Sequence, residues 1–276
     1  MSNPSSVSLV ISTYNEPQWL EKVIWGYSVQ TMPDFEVVIA DDGSRQETKD
    51  LIKKLECQTG LKMHHVWHED KGYQKCVILN KAIASLESEY LIFTDGDCIP
   101  RKDFIAMHLK NAEKGYFLSG GTIRLPIGLS HFITKDHIIS QRCFKKEWLL
   151  ENGLDYNFLK NLKLTNSTDL ANTLNLLTTA RKTWNGGNAS GWRNDIIQAN
   201  GFNEELKYGG QDREFGLRMN NLGVKSKQLR FSAICLHLDH ERSYKTEEAI
   251  LYNLARRKKV IRERITKIEK GLDKYL

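Results

Sequence analysis

Val-Ser-Leu-Val-Ile-Ser-Thr-Tyr-Asn-Glu, residues 7–16, decides the fold. Val7-Ser8-Leu9-Val10-Ile11 is a nearly unbroken apolar run of strand length, and Ser12–Glu16, rich in polar groups, follows it directly. A strand buried on both faces belongs in a parallel sheet covered by helices. The same alternation continues outward. Pro17 to about Gln30 reads as a helix opened by a proline. Phe35–Ala40, Leu61–Trp67 and Tyr90–Phe93 read as strands, and Gln46–Cys57 and Gln74–Leu86 as the helices between them. This β-α-β-α order predicts an α/β fold with a mainly parallel central sheet and flanking helices. Ligands of such sheets bind beyond the carboxyl ends of the strands. Ser12–Glu16, Asp41–Ser44 and Asp95–Asp97 all stand at strand exits.

The 276 residues suffice for one large domain or two small ones. With 40% hydrophobic residues the chain can build its core without disulfides. Cys57, Cys76, Cys98, Cys143 and Cys235 are scattered and form no C-x-x-C pair. That speaks against a zinc site or a disulfide framework and suits a reducing cytoplasm. Met1–Ser6 lacks the pattern of a signal peptide. No apolar run approaches the roughly 18 residues of a spanning helix. The expectation is a cytoplasmic protein, not a synthase that exports its own product. The net charge of +6 gathers near the C-terminus. A basic surface attracts nucleic acid, anionic lipid or phosphorylated substrate, and charge alone does not choose among them.

Three clusters carry candidate chemistry. Asp95-Gly96-Asp97 sets two carboxylates one residue apart after a buried strand, with a glycine to let the backbone turn. Like charges held together call for a cation, and magnesium or manganese would bridge them to phosphate. The competing reading is an Asp-Gly surface turn. Asp41-Asp42-Gly43-Ser44 offers a carboxylate to a base or a ribose, or a helix cap with Ser44. Asp70–Lys75 opens a helix with Gly72 and a lysine, an arrangement that receives phosphate or merely faces solvent.

Residues 7–16, Asp41-Asp42-Gly43-Ser44, Gly72…Lys75…Asn80-Lys81-Ala82 and Leu91–Pro100 together resemble glycosyltransferase family 2. The resemblance implies the GT-A fold, a nucleotide-sugar donor and a divalent metal. Trp184–Asn188, Asn200–Asn203 and Tyr208–Phe215 are similar to the acceptor-side segment of β-1,4-galactosyltransferases and chondroitin-polymerase enzymes. That segment normally has Glu-Asp where this chain has Gln211-Asp212. The resemblance omits Leu129–Arg181 and the tail beyond Arg242. It divides the chain into a nucleotide-sugar half (1–128), an acceptor and catalytic half with a helical insertion (129–243), and a basic helical tail (244–276).

Residue by residue, the resemblance implies that Thr13, Tyr14 and Glu16 lie along the nucleotide. Arginine is frequent in the family where Glu16 stands. Asp42 would hold uracil, Lys75 would approach base or phosphate, and Asp95 ribose or metal, with Gly96 and Gly187 in the same donor site. Asp97 would ligate the metal together with His237, which follows an apolar strand, or with His240. Asp212 would be the catalytic base of an inverting displacement. Trp184 or Trp192 would stack on a sugar, as against packing in the core, and Glu214 would bind acceptor, as against lying exposed on a helix. The expected acceptor is a saccharide or lipid-linked saccharide of cell-surface polysaccharide or lipopolysaccharide synthesis, and no nucleic acid is expected.

The tail beyond Tyr244 reads as one long basic amphipathic helix, suited to an anionic membrane face or to a packed, solvated surface. Two other readings compete with the transferase. A sugar nucleotidyltransferase would want a glycine- and arginine-rich loop where Ser12–Pro17 stands. A non-catalytic glycan- or nucleic-acid-binding protein would not need Asp97, Asp212 and a late histidine together.

Overall fold

A computed structural model describes residues 4–181, 183–241 and 244–276. The boundary at 243 and the limit of resemblance at Arg242 lie outside the described residues. The N-terminal alternation forms β1 (Val7–Thr13), α1 (Pro17–Tyr27), β2 (Glu36–Asp41), α2 (Gln46–Thr59), β3 (Met63–Trp67), α3 (Lys75–Ala84) and β4 (Tyr90–Asp95). β5 (Cys98–Pro100), α4 (Phe104–Asn111) and β6 (Tyr116–Arg124) follow. The insertion is helical, as expected: α5 (Ile127–Phe132), α6 (Lys135–Ile139), α7 (Lys146–Glu151), α8 (Phe158–Asn161) and α9 (Thr168–Leu177). β7 (Asn188–Trp192), α10 (Arg193–Gln198), α11 (Gln211–Asn221), β8 (Lys225–His237) and α12 (Glu247–Arg262) complete the chain.

The eight strands make one sheet in the order β3-β2-β1-β4-β7-β6-β8-β5. The first four are parallel. β7 runs antiparallel to both β4 and β6, so the second half is mixed. The apolar centres of the inner strands explain the parallel half: Leu9, Val10, Ile11, Val37, Val38 and Ile92 expose nothing on either face. One core lies between the sheet and α1, α2 and the insertion, and another between the sheet and α3, α10 and α11.

The reversal at β7 positions the site. Thr94 at the end of β4 pairs with Asn188 at the start of β7, while Tyr90 at the beginning of β4 pairs with Trp192. The loop entering β7 therefore reaches the carboxyl end of β4. Asn188 is buried and locks this junction: its Nδ2 donates to the Gly121 and Ala233 carbonyls, and its Oδ1 accepts from His108. Burial lowers the His108 pKa to about 4, so this ring is neutral. Next to it the β6–β8 register jumps. Gly120 pairs with Leu229 but Gly121 with Ile234, so residues 230–233 loop out as a bulge. Gly121 is required there, since a Cβ would fall 2.0 Å from the Arg230 carbonyl oxygen.

The tail departs from the single helix expected. α12 stops at Arg262, where Arg264 adopts φ +49° and the Ile265 N–H returns to the Val260 carbonyl. The Asn221 amide donates to the Val260 and Ile265 carbonyls and closes the end. The chain then folds back, burying Ile268 and Leu272. Lys267, Lys270 and Lys274 pair with Asp273, Glu205 and Glu204. Much of the basic tail is thus bound to the body of the protein.

Candidate active site

The strand exits open into a single cleft of about 990 Å³. Thr13, Tyr14, Glu16, Asp42, Lys75, Asp95, Gly96, Asp97, Gly187, Asp212, His237 and His240 all border it.

One wall is built from the first four strand ends. β1 leads into a tight turn in which Asn15 (φ +49°) gives its N–H to Ser44 Oγ and accepts from the Arg45 N–H. This joins the first two strand exits. Tyr14 donates to Asp70 at 2.8 Å and joins the third. Gly43 has φ +95°, and a Cβ there would lie 2.6 Å from the Asp70 backbone. Asp42 is fixed on both oxygens, by His68 Nε2 at 2.8 Å and by the Gln74 N–H at 2.9 Å. Burial raises its pKa above the ordinary carboxylate value, and the His68 hydrogen bond offsets part of that. Each oxygen keeps a second lone pair for a ligand. Asp95 accepts from Ser12 Oγ at 2.7 Å and from Lys75 Nζ at 2.5 Å. Burial alone would lower the Lys75 pKa, but Asp95, then Asp97 and Asp212, outweigh it and hold the ammonium charged.

Asp97 lies close to that pair, a carboxylate oxygen within 4.8 Å of one on Asp95, but turns to two histidines. Its Oδ2 lies 3.5 Å from His237 Nε2 and 3.0 Å from His240 Nε2. The Nδ1 atoms face the Leu238 and Glu241 carbonyls at 2.8 Å. A hydrogen on each Nδ1 leaves a lone pair on each Nε2, aimed at a carboxylate. Such an arrangement needs a proton or a metal ion among the three groups. Their ligand atoms all lie within 4.8 Å of one another. One carboxylate and two imidazoles fit a transition-series ion such as manganese better than magnesium, which prefers oxygen alone. Both histidines therefore face Asp97, where the sequence favoured His237 and kept His240 as the alternative.

Asp212 stands on the other side of the Gly186-Gly187 turn, in the first turn of α11. The Gly186 N–H donates to its Oδ2 at 3.3 Å. A Cβ on Gly187 would lie 3.1 Å from Asp95 Oδ2. Two adjacent glycines thus touch the two acids that border the reaction space, and a side chain at Gly187 would crowd Asp95. Gln211 steadies this helix start: its Nε2 donates to the Tyr73 hydroxyl and its Oε1 accepts from the Gly209 N–H.

The three acceptor-binding expectations fail on geometry. Trp184 exposes none of its surface. It underlies the cleft floor, packed on Phe93, Phe117 and Phe215 with ring centroids 4.8–5.6 Å away. Trp192 is buried at the far end of β7, four residues or roughly 13 Å from the strand's cleft end, and packs on Tyr90. Glu214 is fully buried in an ion pair with Arg218, whose guanidinium also donates to the Ala199 and Gly201 carbonyls. The missed residues are His68, which orients Asp42, and a group of cations: Arg124, Lys163, Arg181, Arg213, Arg230 and Arg257. They come from separate segments with no shared motif, and the Gly120-Gly121 pair was the one local hint of the bulge that carries Arg230.

The mixed sheet with its carboxylate-bearing strand ends defines a GT-A architecture. Residues 8–173 match the glycosyl transferase family 2 description, and the chain belongs to that family. It is 27% identical over 228 residues to a chondroitin synthase of Escherichia coli, which covers 79% of this chain and 32% of the synthase. It is 25% identical over 255 residues to validoxylamine A glucosyltransferase of Streptomyces hygroscopicus subsp. jinggangensis, covering 89% of this chain and 58% of that enzyme. The chain therefore spans less than two thirds of either relative. Its fold is similar to that of the mannosyltransferase PcManGT from Pyrobaculum calidifontis, solved with GDP-Man and Mn2+ (TM-score 0.60, 18% identity, 88% of this chain and 59% of that one). It is also similar to S. aureus TarS 1-349 in complex with UDP-GlcNAc (TM-score 0.56, 17% identity, 87% and 60%).

Proposed function

We propose that this chain transfers a sugar from a nucleotide-sugar, with UDP as the nucleotide, to a saccharide acceptor, inverting the transferred carbon. The observation that carries the reading is that the Asp97–His237–His240 set and Asp212 border one cleft, with Gly187 against Asp95 and Gly186 against Asp212. Thr13, Tyr14 and Glu16 border the nucleotide, and Asp42, oriented by His68, accepts from its base. Asp95 meets ribose and holds Lys75, which brings positive charge to the diphosphate. Asp97, His237 and His240 hold a divalent cation, manganese by donor chemistry. When bound, such an ion neutralises charge on the departing diphosphate. Asp212 takes the proton of the acceptor hydroxyl as that oxygen attacks the anomeric carbon. The bond to the diphosphate breaks on the opposite face, so an α-linked donor gives a β-linked product.

The reading places the chain in cell-surface polysaccharide or lipopolysaccharide synthesis, on a free or lipid-linked saccharide, in the cytoplasm. Among the described residues no helix is long and apolar enough to cross a membrane. Peripheral contact with anionic lipid would fall to α12, which exposes Leu251, Tyr252 and Ile261 beside Lys258 and Arg262. Co-sedimentation with phosphatidylglycerol vesicles but not with phosphatidylcholine vesicles tests that contact.

The central test is turnover on a panel of UDP- and GDP-sugars with and without Mn2+, with the product anomer assigned by NMR. UDP-sugar turnover that is metal-dependent and inverting is expected. Turnover that survives chelation, or an Asp97→Ala variant as active as the parent, would remove the metal assignment.

A further inference from the structure

The structure assigns the acceptor, on the donor reading above, to the class of anionic glycans: we infer that its phosphate or carboxylate group binds an arc of six cations beside Asp212. Arg213 follows Asp212 directly on α11. The Arg257 guanidinium lies over Gly210, where a Cβ would sit 3.1 Å from its Cζ. The Arg181 carbonyl accepts from Gln228 at 3.1 Å, two positions before Arg230 on the β8 bulge. Lys163 donates to the Thr122 carbonyl on β6 at 2.7 Å, and Arg124 ends that strand. All six border the same cleft as Asp212.

Two features show that positive charge in the arc outweighs the single nearby carboxylate, Asp212. Among the described residues none of the six forms an ion pair, whereas the cleft's Lys75 and the buried Arg218 each meet a carboxylate. The cations also act on one another. Arg213 and Arg181 lower the Arg257 pKa on top of its burial, with Asp212 opposing them, and Arg230, Lys160 and Arg124 act likewise on Lys163. Lys163 is 7% exposed, and its one hydrogen-bond partner among the described residues is the neutral Thr122 carbonyl. A buried ammonium has three donors and needs an opposite charge or further acceptors. The cleft is where either can arrive. Phosphate and carboxylate both suit this chemistry, because guanidinium groups bind them in paired hydrogen bonds.

The donor diphosphate is the competing occupant, since Arg124 stands opposite His237 in the β6–β8 register. The experiment separates the two. The full chain is titrated calorimetrically with tetragalacturonic acid, mannose 6-phosphate and neutral maltotetraose, with and without UDP and Mn2+. At least one anionic probe is expected to bind about tenfold more tightly than maltotetraose, with an advantage that shrinks as salt rises. Which of the two binds distinguishes carboxylate from phosphate. The advantage is expected to disappear in Arg181→Gln/Arg213→Gln, two exposed positions, and in Arg230→Gln, with UDP affinity held within about twofold. Equal binding of maltotetraose would overturn the inference, as would UDP affinity falling in step with the probes. A parent that binds no UDP would overturn the donor reading instead, and the titration without UDP still measures the anion preference.

Discussion

Along the donor wall Lys75 meets Asp95 at 2.5 Å and His68 meets Asp42 at 2.8 Å, and just beneath it His65 meets Asp41 at 2.9 Å. Along the opposite wall Arg124, Lys163, Arg181, Arg213, Arg230 and Arg257 meet no carboxylate among the described residues. Paired groups hold one another in position before any ligand arrives, which favours tight and repeatable placement of a common donor. Unpaired charges of one sign leave a site whose energy depends on what enters it. The difference suggests a division of labour in which the donor wall is preorganised and the other wall selects the acceptor by charge.

The sharpest way to break this division is at Asp212, which borders both walls. Asp212→Asn keeps the shape of the side chain and can still accept from Gly186, but it cannot take a proton. Transfer is expected to fall by about 10²–10⁴, while UDP affinity, a property of the donor wall, stays within twofold of the parent, on the order of experimental scatter. Initial rates and a UDP titration on the same preparation check it. A loss of less than about tenfold would move the base elsewhere.

Next in size is the correction at Glu214. Removing one partner of a buried pair leaves an uncompensated charge and costs about 3–5 kcal/mol. Glu214→Gln is expected to lose stability on that scale in urea denaturation, with the acceptor KM unchanged at a temperature where the variant is folded. An altered KM with full stability would return Glu214 to the acceptor wall.

These two residues also show what the sequence could reveal. The donor wall was legible because its groups lie within a few residues of strand ends, so that strand periodicity and the sites of Asp42, Asp95 and Asp97 were read together. Glu214 and Trp184 lie within recognisable motifs too, but α11 rotates Asp212 into the cleft and Glu214 into the core, two residues and roughly 200° around the helix. A motif preserves spacing without stating which face is buried. The cationic arc was illegible for another reason. Its members are scattered from residue 124 to residue 257, on β6, the insertion, α11, the β8 bulge and α12, and they share one cleft only in the folded chain.

The metal set sharpens the donor side. His237 and His240 are equivalent in their distance class from Asp97, so either His→Ala variant should weaken Mn2+ binding by about tenfold or more. Electron paramagnetic resonance of free Mn2+ measures this directly. If one variant binds as tightly as the parent, the set reduces to a single histidine, and that residue's ring belongs to another ligand.

The smallest expected effect tests the acceptor wall by pH. Burial, reinforced by Arg230, Lys160 and Arg124 and opposed by the Cys235 thiol, lowers the Lys163 pKa from 10.5 to about 8. Between those values the unfolded chain binds the proton and the folded chain does not, so Lys163 makes the unliganded protein more stable as pH rises through that window. A bound anion reverses the preference, because it favours the charged ammonium and raises the folded pKa toward the unfolded one. Anionic probes should therefore weaken as pH climbs through about 8, by roughly threefold, the scale expected when one of six cations loses its charge. Lys163→Arg should keep the affinity and flatten the profile, whereas Lys163→Gln should flatten it at a lower affinity. A step that persists in both variants would belong to another group, and Lys163 would then contribute to the fold of the bulge and not to the choice of acceptor.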